Sequence, residues 1–236
     1  MVKKLLLLLF FLLVIFGGAA ELLLPSWTAA YGAESLKELT GSEQVTLQTE
    51  KHPAILMLSG QFDTVKIDAK NAKLDKLTVS SMQAELKGLQ LDMNSLLLQR
   101  RFTVQSVDTV NLKAVVTEKE LAQFLDANVK GSKNATVTVK PDKITVSSQL
   151  SLGGLMALSI TLEGKIAADG QKIKFVTERF LLNHSPVGNL GGSILTEIPL
   201  ADTKKLPFGT TIQNIVNEDG QIVIYAGNQS PASGKQ

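Results

Sequence analysis

The chain has 236 residues and a formal net charge of only +2, which is not the basic footprint of a nucleic-acid-binding protein. The absence of cysteine excludes disulfides, thiolate metal sites, cysteine nucleophiles and a lipid-modified N-terminal cysteine. Because 44% of the residues are hydrophobic and only two are histidine, the composition favours a folded domain that is not an enzyme.

The N-terminal residues have the features of an export signal. Two lysines precede an unbroken apolar run over residues 5–16, and the small residues that follow suit cleavage after Ala20. The apolar stretch resumes just beyond Glu21, so an uncleaved helix of about 20 residues, about 30 Å long, is the alternative. We therefore predict that residues 1–24 are a signal peptide or an N-terminal membrane anchor. Both alternatives place the body outside the cytoplasm, because the lysines stay on the cytoplasmic side.

A helix is predicted over residues 25–39, where apolar residues recur every three or four positions on one face. The residues on that face are Ala29, Ala33, Leu36 and Leu39. A face of small residues and two leucines could lie close against a sheet. Further on, residues 53–58 predict a short helical turn that Gly60 closes.

Alternation of apolar and polar residues predicts strands through much of residues 45–91. One phase holds Val65, Ile67, Ala69, Leu77 and Val79, and the opposite phase holds Met82, Ala84 and Leu86. The slip at Ser80 and Ser81 predicts a β-bulge, which would bend the strand and increase its twist. Long strands with one apolar face and a bulge indicate a curved antiparallel sheet.

A long strand and a helix are predicted next. One face of the strand would carry apolar residues that all fall on even numbers, namely Phe102, Val104, Val110, Leu112, Ala114 and Val116. Thr117 and Glu120 then form a capping box, with threonine at the N-cap and glutamate at the third helical position. The helix that it opens carries Leu121, Phe124 and Leu125 on one face.

Three hairpins and one helix are predicted in the remainder of the chain. The hairpins occupy residues 137–152, 155–180 and 211–226, with Asp-Gly turns in the last two. Ser185 at an N-cap and Pro186 behind it predict a helix that ends at Pro199. The fold class is therefore predicted as α+β, a curved antiparallel sheet wrapping one or two long helices. Residues 25–228 would form one domain, and residues 229–236 a disordered tail.

Sequence motifs for catalysis are missing: there is no serine-hydrolase motif, phosphate-binding glycine loop or zinc-peptidase motif. His52 and His184 stand beside prolines or turn residues, without carboxylates at metal-ligand spacing, so surface positions are expected. We predict no enzymatic activity, no metal and no cofactor. Arg100 and Arg101 interrupt an apolar run, and their guanidinium groups could contact lipid headgroup phosphates; a solvated loop is the alternative.

The order of several segments supports a family resemblance that covers residues 25–227. The segments that carry it are residues 53–60, 62–67, 77–92, 114–125 and 206–209, followed by the closing hairpin. In this order and spacing the chain resembles the bacterial LmeA-like phospholipid-binding family. The resemblance implies an envelope protein that binds phospholipid without catalysis. It also implies an architecture similar to tubular lipid-binding folds, in which a curved sheet wraps long helices and shelters acyl chains.

Apolar periodicity, rather than the resemblance, suggests which residues would contact lipid. The predicted acyl contacts are Leu36, Phe102, Val104, Leu121, Phe124, Leu158, Ile160, Leu190 and Ile194, with Arg100 and Arg101 near the headgroup. The leading hypothesis is an extracytoplasmic phospholipid-binding protein with a role in envelope lipid handling or assembly. It would be anchored in the cytoplasmic membrane, or secreted to the periplasm or cell surface. A structural or scaffolding envelope protein with a dry core is the alternative, and an enzyme is a third.

Overall fold

The computed structural model describes residues 2–99, 103–152, 156–169, 172–183, 185–186, 197–202 and 210–228. Its helices are α1 (Val2–Thr40), α2 (Met93–Gln99) and α3 (Glu118–Asn128), and a 3-10 turn spans Ala54–Ser59. The side chains of α1 are described from Ala19 onward, except that of Leu39. Within the part of the chain whose side chains are described, no helix is both long enough and apolar enough to cross a membrane. The tail predicted over residues 229–236 lies outside the described residues.

The strands form two antiparallel sheets. They are β1 (Gln44–Glu50), β2 (Gln61–Leu74), β3 (Leu77–Leu91), β4 (Val104–Ser106), β5 (Thr109–Thr117), β6 (Ser132–Val139), β7 (Ile144–Leu152), β8 (Met156–Asp169), β9 (Lys172–Leu182), β10 (Ser185–Pro186), β11 (Glu197–Asp202), β12 (Thr211–Glu218) and β13 (Gln221–Gly227). The first sheet has the order β1-β2-β3-β5-β13-β12, with β4 beside β3. The second has the order β10-β9-β8-β7-β6, with β11 beside β9. The α+β antiparallel class is confirmed, and the three predicted hairpins are present.

The main hydrophobic core is shared by both sheets and α3. Val79 and Val116 contribute from the first sheet, Ile144 and Ile173 from the second, and Phe124 from α3. Each of these side chains is at most 4% exposed. The core therefore lies where the two sheets and α3 meet, which leaves α1 to pack elsewhere on the first sheet.

The predicted capping box at the start of α3 is confirmed. The backbone N–H of Thr117 donates to Glu120 Oε2 at 2.9 Å, which satisfies a donor that the helix itself cannot pair. Glu118 Oε1 accepts the N–H of Val139 at 2.8 Å and so fixes the helix to β6. Leu121 is buried along with Phe124 in the main core, as the spacing predicts for a helix with one apolar face.

The bulge predicted in β3 is wrong, although the slip in the sequence pattern reflects a real feature. β2 and β3 pair without a register shift along their whole length. Instead, the inward-facing positions change from one face to the other at the same level of both strands. On β2 the change falls between Ala69 and Ala72, and on β3 it falls between Val79 and the half-buried Met82. Asn71, at the switch, has a φ of 52°. The hairpin end of this pair therefore faces the main core, whereas its middle faces α1.

Two further predictions are corrected by the strands. The single long strand that was predicted from apolar residues at even-numbered positions is two strands. Val104 lies on β4, which pairs with β3, while Val110 begins the buried face of β5. The helix predicted from Ser185 to Pro199 is strand at both ends, since β10 and β11 each pair with β9. Proline is compatible with an edge strand, where a missing N–H breaks no ladder bond. Residues 187–196 lie outside the described residues.

Candidate functional site

A cavity of about 770 Å³ lies between α1 and the first sheet. Its volume is within the range of pockets that hold small-molecule ligands. The α1 residues that line it are Trp27, Thr28, Tyr31, Gly32, Leu36 and Thr40. Lining residues on the sheet include Val45, Leu47, Val65, Ile67, Ala69, Met82, Ala84 and Leu86. The wall opposite α1 is thus mainly aliphatic.

The close approach of α1 to β1 depends on a small residue. Thr28, Gly32, Leu36 and Thr40 recur at intervals of four, so they form one stripe along the helix. At Gly32, a Cβ atom would lie only 2.5 Å from Leu47 Cδ2. A larger residue at this position would therefore push Leu47 into the cavity or lift the helix from the sheet.

Two threonines join α1 to β1 next to a proline inside the helix. α1 continues through Pro25, where the sequence predicted that a helix would begin. The hydroxyl of Thr49 donates to the carbonyl oxygen of Pro25 at 3.0 Å and lies 2.8 Å from Thr28 Oγ1. Because Thr49 is 93% buried, these bonds are sheltered from water. The helix on either side of Pro25 is thereby held against the sheet.

Glu21 fixes the same end of the cavity. Its Oε1 accepts the N–H of Ala54 at 2.8 Å, and its Oε2 lies 3.5 Å from His52 Nδ1. The Ala54 N–H is at the start of the 3-10 turn, where no earlier carbonyl in the turn can accept it. The carboxylate of Glu21 therefore ties α1 to the 3-10 turn, which contributes Met57 and Leu58 to the cavity wall.

The two ends of the cavity differ in chemistry. Near the start of its α1 wall, Thr28 Oγ1 lies 3.7 Å from Met57 Sδ, and the surrounding wall is apolar. At the other end, Lys73 and Asp75 line the cavity beside the turn between β2 and β3. Asp202 is the third charged residue among the described residues of the lining. The cavity therefore combines long aliphatic walls with charged groups at one end.

Residues 20–227 match the family described as LmeA-like phospholipid-binding. The chain belongs to that family. The match extends from the residue before Glu21 to the end of β13, so it includes both sheets and the part of α1 that lines the cavity. No curated protein and no solved structure matches the chain. Membership of the LmeA-like family confirms the resemblance and indicates phospholipid binding.

The acyl-contact residues predicted for this LmeA-like protein lie in three different places. Leu36 on α1 and Val104 on β4 line the cavity. Leu121 and Phe124 belong to the main core. Leu158 and Ile160 are on β8 of the second sheet and are not part of the cavity lining. Phe102, Leu190 and Ile194, and the headgroup candidates Arg100 and Arg101, lie outside the described residues.

The middle of β2 and β3 supplies cavity residues that the prediction did not assign to the site. Val65 and Ile67 on β2, and Met82 and Leu86 on β3, all line the cavity. The phase slip in the sequence was the signal that could have found them, because in the paired strands Val65, Ile67 and Leu86 lie on the other side of it from Ala72 and Val79, which belong to the main core. The stripe on α1 also differs from the predicted one: Thr28, Gly32 and Thr40 take the places of Ala29, Ala33 and Leu39, and Leu36 is shared by both.

No group of three or more potential metal ligands occurs among the described side chains of this family member. His52 is 86% exposed, and His184 lies outside the described residues. The carboxylate of Asp63 accepts from Lys51 Nζ at 2.7 Å and from the His52 N–H at 3.2 Å. These bonds, chiefly the one from Lys51, lower the pKa of Asp63 from its ordinary value of 3.8.

Replacing Asp63 with asparagine should lower stability at neutral pH and have progressively less effect in acid. A lowered folded-state pKa means that the contribution of the carboxylate is present above the unfolded pKa and is lost as the pH falls through the folded value. The urea midpoints of wild type and Asp63→Asn should therefore converge below a pH of 3.8. A difference that stays constant from neutral pH into this acid range would contradict this role.

Proposed function

We propose that this protein is an extracytoplasmic phospholipid-binding protein that holds an acyl chain in the cavity between α1 and the first sheet. Its role would be the handling or assembly of cell-envelope lipids, without catalysis. The observation that carries the proposal is an aliphatic cavity of about 770 Å³, with charged residues at one end, in a member of a phospholipid-binding family.

The length of the cavity supports an acyl chain as its ligand. Its α1 wall runs from Trp27 to Thr40, which at about 1.5 Å per residue is about 20 Å. One leaflet of a bilayer accounts for half of a hydrocarbon core of about 30 Å, so its chains extend about 15 Å. Each methylene group that is buried contributes about 0.8 kcal/mol, so one acyl chain could sustain binding without a designed polar contact.

The charged end supports a lipid with a polar headgroup. Lys73 and Asp75 offer both signs of charge where the aliphatic walls end. A phospholipid carries a phosphate and a polar headgroup next to its chains, so its two parts match an aliphatic cavity with charged groups at one end. The small number of charged groups in the lining predicts weak selectivity among headgroups.

The N-terminal sequence supports a location outside the cytoplasm. Two lysines, the apolar run over residues 5–16 and the small residues behind it have the order found in export signals. As a cleaved signal peptide or as a retained anchor, this segment would deliver the lipid-binding body to the outer side of the cytoplasmic membrane.

The proposal is tested by native mass spectrometry of the full chain extracted from bacterial membranes in mild detergent. We expect an adduct of phospholipid mass on the wild type and its loss in Ala84→Trp, because an indole at Ala84 would occupy the middle of the cavity. Ala127→Trp, at an exposed position of α3, adds the same side chain outside the cavity and should keep the adduct.

The comparison of the two tryptophan variants separates cavity-bound lipid from lipid that adheres to the apolar N-terminal segment. Equal adducts on all three proteins would place the lipid outside the cavity. A wild type without any adduct, even after incubation with phospholipid vesicles, would favour a scaffolding envelope protein with a dry interior. Melting curves of both variants show whether they are folded.

A further inference from the structure

Exposed apolar side chains are concentrated around one part of the cavity. They lie on α1, on the 3-10 turn and on α2, and we call them the rim: Leu23, Trp27, Tyr31, Ile55, Leu58 and Leu98. Their exposed fractions run from 49% at Leu58 to 82% at Leu98. Apolar patches of this kind on a protein surface mark a contact with another protein or with a membrane.

The three elements of the rim are joined to one another. Glu21 ties α1 to the 3-10 turn through the N–H of Ala54. The turn is joined to the end of β3, immediately before α2, because the N–H of Leu91 donates to the carbonyl oxygen of Gly60 at 2.8 Å. Met93, the first residue of α2, lines the cavity together with Leu58. These contacts place the 3-10 turn between α1 and the start of α2, beside the apolar end of the cavity.

The side chains on the α1 part of the rim are those found where proteins meet a membrane surface. Trp27 and Tyr31 stack with ring centroids 6.1 Å apart, and both line the cavity while being more than half exposed. Tryptophan and tyrosine are enriched at the membrane–water interface, because each combines an apolar ring with a polar group. Upstream of Leu23, the same helix enters the apolar run over residues 5–16.

We propose that the rim docks on the surface of a phospholipid bilayer and opens the cavity directly to its lipids. This inference rests on the proposed function, since it assumes that the cavity takes up phospholipid. A chain that crossed water would expose its methylene groups at about 0.8 kcal/mol each. A rim in contact with the bilayer removes that barrier, because the chain passes from one apolar environment to another.

The test uses the absence of cysteine from the chain. Single nitroxide labels are attached to Ile55→Cys, Leu98→Cys and Val216→Cys in the full chain. Val216 is also exposed and apolar, but it lies on β12, at the edge of the first sheet opposite β1, and serves as the matched control. Ile55 and Leu98 are chosen because neither is part of the cavity lining, so their labels do not report on bound lipid.

The labelled proteins are reconstituted in vesicles of zwitterionic and anionic phospholipid, and collisions with oxygen and with a water-soluble relaxation agent are measured. At positions 55 and 98 we expect a several-fold drop in collisions with the water-soluble agent and a rise in collisions with oxygen. The label at position 216 should remain as accessible to the water-soluble agent as it is in detergent.

Three other outcomes would overturn the inference in distinguishable ways. Labels that are equally accessible from water at all three positions, on protein that carries lipid by native mass spectrometry, would refute rim docking and leave the proposed function in place. Protein without lipid would refute the proposed function itself. Protection at positions 55 and 98 that grows with protein concentration, without vesicles, would show that a second copy covers the rim.

Discussion

Removal of bound phospholipid should lower the melting temperature of the full chain by about 5–10 °C. A ligand at 100 times its dissociation constant stabilises the folded state by about 2.7 kcal/mol, and each kcal/mol shifts the melting temperature of a domain of this size by about 2–4 °C. The structural reason is that α1 packs over a cavity of about 770 Å³ instead of a filled core. Lipid would supply the contacts that are missing between this helix and the first sheet.

The measurement is differential scanning calorimetry of the full chain in detergent, as purified, after removal of lipid, and after phospholipid is added back. Ala84→Trp is the control, because its side chain would occupy the middle of the cavity and its melting temperature should not respond to lipid. A wild-type melting temperature that is the same in all three states would contradict a lipid-filled cavity. A response in Ala84→Trp equal to that of the wild type would assign the effect to lipid bound elsewhere.

Elements that are determined by neighbouring residues could be predicted from the sequence. The capping box of Thr117 and Glu120 is a local pattern, and the turn at Asp219 and Gly220 joins two strands that are adjacent in the sequence and pair with each other. The helix predicted from Ser185 failed because the same residues suit two structures. A serine followed by a proline can start a helix, but proline is also accepted at a sheet edge, and only the pairing with β9 decides between them.

The cavity was harder to predict because periodicity shows that a face is buried, but not what covers it. Phe124 and Leu36 both follow a helical apolar pattern, yet Phe124 packs in the main core and Leu36 lines the cavity. The outcome depends on where β2 and β3 change face, which requires both strands to be seen together. The course of α1 also depends on distant residues, since Thr49 on β1 holds the helix at Pro25. The predicted domain limits at residues 24 and 228 stay predictions.

Replacing Gly60 with alanine should destabilise the protein considerably more than the same replacement at Gly220. Both glycines have left-handed backbone angles, with φ of 84° and 81°, so each alanine costs about 1–2 kcal/mol in strain. A Cβ atom at Gly220 would meet nothing within 4 Å. At Gly60 it would lie 2.3 Å from the carbonyl oxygen of Leu91, a backbone atom that cannot rotate away.

The additional cost at Gly60 should be about 1–3 kcal/mol, the usual cost of backbone shifts that relieve overpacking. Urea denaturation of both variants and the wild type measures it, with Gly220→Ala as the control for left-handed strain alone. Equal losses of unfolding free energy in the two variants would show that the backbone at the 3-10 turn can shift to relieve the clash at no measurable cost. An unequal loss, together with reduced lipid occupancy in Gly60→Ala, is the expected result. The reason is that the contact between Gly60 and Leu91 holds Met57 and Leu58 in the wall of the cavity.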